Sequence, residues 1–169
     1  MNLLKVTALV AALSFTALGA LAEGDLVKVG DKAPEFTAVD TAGAQVALAQ
    51  YKGKVVLLNF FATWCGPCMQ EMPHLEKELW QALKGEGLVV LAVGREHSVE
   101  ELVTFKGKKG LSFAILADPK REVYAKYASS YIPRCYLIGK DGIVKFASVG
   151  FEAKEFQQLL ATAKAELRK

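Results

Sequence analysis

Val55-Val56-Leu57-Leu58-Asn59-Phe60-Phe61-Ala62-Thr63-Trp64-Cys65-Gly66-Pro67-Cys68 is the run from which the rest of the chain can be read. Its first seven residues are almost continuously apolar, which predicts a strand buried on both faces. After Cys65 the period changes. Leu75, Leu79, Ala82 and Leu83 recur at helical spacing, so a helix is expected from Cys65 to Leu83. Pro67 is tolerable in the first turn. Pro73 lies deeper and should kink the helix, and Gly85 and Gly87 end it. Two cysteines three positions apart therefore sit where a buried strand becomes a helix.

That placement has chemical consequences. Positions three apart share a helix face, so the two sulfurs can join or separate with little backbone change. A helix N-terminus carries unsatisfied N–H groups and a partial positive charge, which stabilises a thiolate. In such settings a cysteine pKa falls to roughly 3.5–7.5 from about 8.5. The thiolate is the attacking species in exchange. Cys65, at the exposed end of the helix, is the expected nucleophile, and Cys68, one turn inside, the expected resolving thiol. Half of a zinc site is a competing reading. Zinc needs about four ligands at fixed spacing, and neither a second cysteine pair nor His74 and His97 supplies them. A static disulfide competes too, but so small a loop yields little chain-entropy stabilisation.

Outward from this run the chain alternates in type. Before it, Phe36–Val39 and Gln45–Leu48 read as a hairpin around Thr41-Ala42-Gly43. After it, Leu88–Gly94 reads as a second buried strand. Ser98 caps a helix to Lys109, with Glu101 completing a capping box and Gly110 stopping it. Phe113–Leu116 reads as a strand and Asp118–Tyr127 as a further helix. Cys135–Ile138 and Ile143–Val149 read as strands joined by Lys140-Asp141-Gly142, and Glu152–Leu167 as an amphipathic closing helix. The expected fold is α/β. A mixed central sheet has helices on both faces, parallel where strands alternate with helices and antiparallel in the last pair.

The chain has 169 residues, 52% hydrophobic and 23% charged, with a net charge of +3. This is one ordinary globular domain with no nucleic-acid patch. Lys5, the uncharged run Val6–Leu18 and Ala20-Leu21-Ala22 have the layout of a secretory signal peptide over residues 1–22, cleaved after Ala22. An uncleaved N-terminal anchor is the alternative. The domain proper is then 23–169, in a periplasmic or otherwise exported location. All three cysteines lie in that part, and an odd count there suggests one working pair plus one leftover, Cys135.

The segment Phe61-Ala62-Thr63-Trp64-Cys65-Gly66-Pro67-Cys68 resembles the active-site segment of the thioredoxin superfamily. The resemblance extends over Val29 to Leu167. The leading hairpin and the extra Phe113–Tyr127 strand–helix segment resemble the exported TlpA/ResA-type branch. A thioredoxin-like fold and dithiol–disulfide exchange with protein substrates are what this implies. It places Ile132-Pro133 opposite the cysteines, with a cis peptide bond and neighbouring backbone that binds an extended substrate segment. It gives Trp64 a shielding and contact role beside the sulfurs. Gly66-Pro67, filling the pair's interior, leans toward the reductase direction. Thioredoxin has a buried aspartate six residues before its first cysteine; here that place is Asn59, which cannot take a proton. ResA-type proteins have a glutamate where Glu71 stands, so Glu71 is expected to tune the thiols and help proton transfer. Arg95 and His97, at the carboxyl end of the second core strand, are candidates to touch substrate or stabilise the thiolate. Cys135 lies two residues past Pro133, on the same sheet face. It reads as a buried small hydrophobe, or alternatively as a third redox thiol.

The leading reading is thus an exported protein-disulfide oxidoreductase, favoured as a reductase, with no metal and no cofactor beyond the Cys65–Cys68 disulfide. Protein thiols and disulfides are its substrates, with apocytochrome c or other periplasmic cysteines implied by the branch resemblance. A membrane or periplasmic electron-donor protein recharges a monomeric enzyme. Two alternatives differ in class. One is copper delivery through Cys65, Cys68 and His97, since copper(I) favours thiolate and accepts imidazole. The other is thiol peroxidase chemistry, whose cysteine stands in a different local motif.

Overall fold

The computed structural model describes residues 24–169; the signal-peptide reading of residues 1–22 lies outside them. A seven-stranded sheet runs through the molecule in the order β2-β1-β5-β4-β3-β6-β7. The strands are β1 (Thr37–Asp40), β2 (Gln45–Ala47), β3 (Val55–Phe61), β4 (Leu88–Arg95), β5 (Ala114–Asp118), β6 (Arg134–Ile138) and β7 (Val144–Val149). β3, β4 and β5 are parallel, while β1–β2, β1–β5, β3–β6 and β6–β7 are antiparallel. The mixed sheet expected from the sequence is present.

β3 lies between β4 and β6 inside the sheet, and all seven of its residues are buried. Its alternation sorts the two cores. Val55, Leu57 and Phe61 face one cluster with Cys65, Cys68, Met72, Leu102, Phe105, Phe156 and Leu159. Val56, Leu58 and Phe60 face a second with Phe36, Leu48, Tyr124, Tyr127 and Tyr136. Each such fully buried side chain contributes about 1.5–3 kcal/mol relative to exposure. Helices α1 (Gly66–His74), α3 (Val99–Lys109) and α4 (Ala153–Leu167) all pack in the first cluster. The opposite face carries the N-terminal segment, the hairpin and only 3₁₀ turns, at Leu48–Tyr51 and Tyr124–Lys126.

One local expectation gains detail and another changes. Pro73 lies inside α1, as expected. It cannot donate a backbone N–H, and the chain widens after it into a π segment at Leu75–Trp80 before α2 (Gln81–Leu83). The helix expected over Asp118–Tyr127 shrinks to one 3₁₀ turn. Asp118 accepts N–H bonds from Val123 at 3.2 Å and Tyr124 at 2.8 Å, and Arg121 takes φ +61°. A left-handed residue interrupts helical hydrogen bonding. The Ser98–Glu101 capping box forms as expected. Gly94 of β4 lies where an added Cβ would stand 2.6 Å from Leu102 Cδ2, so a glycine lets α3 approach this strand.

Candidate active site

Cys65 and Cys68 form a disulfide at the junction of β3 and α1. Cys65 is the N-cap of α1, and its sulfur accepts the Cys68 backbone N–H at 3.2 Å. Pro67, in the first turn, removes an N–H that would have no helical acceptor. The sulfurs are unequal. Cys65 is 6% exposed and Cys68 fully buried, so Cys65 stands at a small opening and not at the open end the sequence suggested. Its Sγ lies 3.8 Å from the Ile132 carbonyl oxygen. The Ile132–Pro133 bond is cis, as expected.

Around this opening the contacts are specific. Trp64 is 64% exposed, so it presents an apolar surface and is not a core residue. The Arg95 guanidinium lies over its ring at 5.8 Å and over the Tyr124 ring at 5.0 Å. Tyr131, before Ile132, is 55% exposed. His97, a candidate for contact with substrate or thiolate, is buried. Its Nε2 accepts the Thr63 backbone N–H at 3.0 Å, which ties the loop before Cys65 to the end of β4. His97 therefore braces the active-site loop. Among the described residues no group of three or more His, Cys, Asp or Glu side chains gathers as a metal site.

Behind the disulfide lies a buried polar cluster. Asn59 and Cys135 are register partners across β3 and β6, so both project to the α1 face. Glu71 enters from α1, one turn after Cys68, and is 2% exposed, not solvated. Asn59 Nδ2 donates to Glu71 Oε2 at 2.8 Å, and Cys135 Sγ donates to Glu71 Oε1 at 3.2 Å. Burial pushes the Glu71 carboxyl up to about 7, against the lowering pull of Cys135, Asn59 and His74. Burial, then the nearby Glu71 charge, pushes the Cys135 thiol well above its usual range. Cys135 is buried, as the favoured reading had it, but with polar partners in place of purely apolar ones.

The raised Glu71 value carries a stability consequence. The folded pKa exceeds the ordinary 4.5, so the contribution is fully present below pH 4.5 and is lost as pH rises through about 7. The oxidised protein is expected to lose about 3 kcal/mol from this group across that window. Glu71→Gln should remove that slope. Chemical denaturation of both proteins at pH 5 and pH 8 checks it, and equal pH slopes would refute the assignment.

Sequence reading missed Asp25 and Arg134. Arg134 is wholly buried and forms an ion pair with Asp25. Its Nε donates to the Ser130 carbonyl at 2.8 Å and the Tyr131 carbonyl at 3.3 Å. Tyr124 Oη also donates to the Tyr131 carbonyl, at 2.7 Å. These bonds hold the loop leading to Ile132-Pro133. One signal was available for Arg134: a charge adjoining the buried run Cys135–Ile138.

Comparison with known proteins bears on the family and the fold. The AhpC/TSA family matches residues 29–147. Thiol-disulfide oxidoreductase ResA of Geobacillus kaustophilus (strain HTA426) is 38% identical over 133 residues, 79% of this chain and 76% of that protein. ResA of Bacillus subtilis (strain 168) is 34% identical, covering 80% of this chain and 76% of its own length. The solved structure of a putative thiol:disulfide interchange protein DsbE from Chlorobium tepidum is 30% identical, with a TM-score of 0.73 over 83% of this chain and 99% of that one. A putative protein disulfide isomerase from Bacteroides thetaiotaomicron is 33% identical, with a TM-score of 0.83 over 86% and 94% of the two chains. The fold is thioredoxin-like.

Proposed function

We propose, for a chain that belongs to the AhpC/TSA family and is a thiol–disulfide oxidoreductase, that it acts outside the cytoplasm as a protein-disulfide reductase, with Cys65 attacking, Cys68 resolving and Glu71 handling the proton. The observation that carries this is the inequality of the two sulfurs. Cys65 caps the helix at an opening beside the Ile132 carbonyl, while Cys68 is fully buried, one helical turn before the buried Glu71.

In the reduced enzyme the Cys65 thiolate attacks one sulfur of a substrate disulfide. A mixed disulfide forms and the first substrate thiolate leaves. Cys68 then gives its proton to the Glu71 carboxylate and attacks the Cys65 sulfur. The second substrate thiolate leaves, and the enzyme is left as the Cys65–Cys68 disulfide. Two electrons pass to the substrate, and a dithiol protein in the membrane or periplasm restores them. The Ile132 backbone beside Pro133 offers an edge to an extended substrate strand. Trp64, before Cys65, and Tyr131, before Ile132, supply exposed aromatic surface. Cysteine pairs of exported proteins, apocytochrome c thiols among them, are the proposed clients. Export rests on the layout of residues 1–22; among the described residues no helix is long and apolar enough to cross a membrane.

Trapping tests the assignment. Cys68→Ser, expressed with its leader, should accumulate mixed disulfides through Cys65 that reductant dissolves. The wild type should reduce insulin in the presence of a dithiol donor. No adducts on Cys68→Ser together with no insulin reduction by the wild type would reject the reading.

A further inference from the structure

Cys135 has no place in the exchange steps above, yet its surroundings are not those of a space-filling residue. It is fully buried and outside the disulfide. Its sulfur makes two polar contacts. It donates to Glu71 Oε1 at 3.2 Å and accepts from Asn59 Nδ2 at 3.3 Å. The same Asn59 nitrogen donates to Glu71 Oε2 at 2.8 Å. Three side chains from three elements thus close a ring: Asn59 from β3, Cys135 from β6 and Glu71 from α1. Both oxygens of the carboxyl are held from the sheet.

We propose that Cys135 is a positioning residue, whose S–H, together with the Asn59 amide, clamps the Glu71 carboxyl in a fixed orientation behind Cys68. This rests on reading Glu71 as the group that takes the Cys68 proton. A buried carboxylate with one oxygen unpaired is expensive. An alanine or valine at 135 would fill space and leave Oε1 without this donor. The thiol supplies it and stays protonated, because burial and the facing carboxylate both oppose its ionisation. The contact that makes Cys135 a donor therefore also keeps it from becoming a thiolate, and so from competing with Cys65 and Cys68 in exchange. The leftover cysteine and the buried glutamate explain each other. The other charged groups acting on the Glu71 carboxyl are His74 on α1, which favours its ionised form, and Glu155 on α4, which opposes it.

The test is a titration with a built-in rescue. The Glu71 carboxyl carbon is followed by ¹³C NMR from pH 4 to 9 in the full oxidised protein, for wild type, Cys135→Ala and Cys135→Ser. Cys135→Ala should raise the Glu71 midpoint by about half to one pH unit, the effect of losing one donor to the charged form. Cys135→Ser keeps a donor and should bring the midpoint back to or below that of wild type. The pH profile of the exchange rate should move in parallel. Wild-type and Cys135→Ala midpoints at the same pH would overturn the clamp, as would failure of serine to restore the shift. Glu71→Gln separates the two ideas. If its exchange profile matches wild type while Cys135→Ala still moves the carboxyl midpoint, the proton role of Glu71 fails and the clamp stands.

Discussion

Cys65→Ser is expected to lower disulfide exchange by about a thousandfold or more, the scale on which removal of an attacking nucleophile acts. A serine hydroxyl neither ionises near neutral pH nor forms a bond of the required kind. Cys68 cannot substitute, because it is fully buried while Cys65 lies at the opening. The helix supports the same asymmetry. The backbone N–H of Cys68 points at the Cys65 sulfur, so the partial positive charge at this terminus acts on Cys65. Cys65→Ser and Cys68→Ser should therefore differ in kind. The first should neither turn over nor trap substrate, whereas the second should trap and then stall. Single-turnover reduction of a fluorescent disulfide peptide, followed by mass mapping of adducts, measures both. Adducts on Cys68 in the Cys65→Ser protein, or residual turnover within tenfold of wild type, would reverse the assignment of roles.

The largest expected loss of stability comes from Asp25→Ala. Arg134 is wholly buried, and Asp25 meets it from the first described turn of the chain. Burying a guanidinium is tolerable when a carboxylate and further acceptors surround it. Here the Ser130 and Tyr131 carbonyls supply such acceptors. Removing the carboxylate takes a charged partner from a buried guanidinium, at a cost of up to about 3–5 kcal/mol. A paired replacement, Asp25→Leu with Arg134→Met, removes both charges and should cost far less than the single change. Urea denaturation of the wild type and these two variants decides it. A loss below about 1 kcal/mol in Asp25→Ala would show that the pair does not secure this segment. The loop it holds leads to Ile132-Pro133, so Asp25→Ala should also raise KM for a protein substrate more than it lowers kcat.

What could be read along the chain was local. Val55–Phe61 announced a strand buried on both faces because six apolar residues out of seven admit little else. Ser98 and Glu101 announced a helix start because the capping box is completed within four residues. The cysteine pair was legible for the same reason, since strand, cap and both sulfurs lie within one short run. Asp118–Tyr127 was misread because the hydrogen bonds of the Asp118 carboxylate replaced the helical ones. Periodicity does not record that competition. The burial of His97 was not legible because loop position says nothing of the Thr63 N–H that draws it inward.

The sequence by itself determined the redox pair, its placement at a helix N-terminus and the alternation of strands and helices that makes the sheet mixed. Each depends on residues a few positions apart. Only the tertiary structure decided that Glu71 is buried, that Cys135 faces it and that Arg134 is neutralised by Asp25. These outcomes depend on the register of β3 against β6, which sets Asn59 beside Cys135 across 76 positions of sequence, and on an ion pair spanning 109. A one-residue slip in that register would turn Cys135 to the other face of the sheet and leave Glu71 without its clamp.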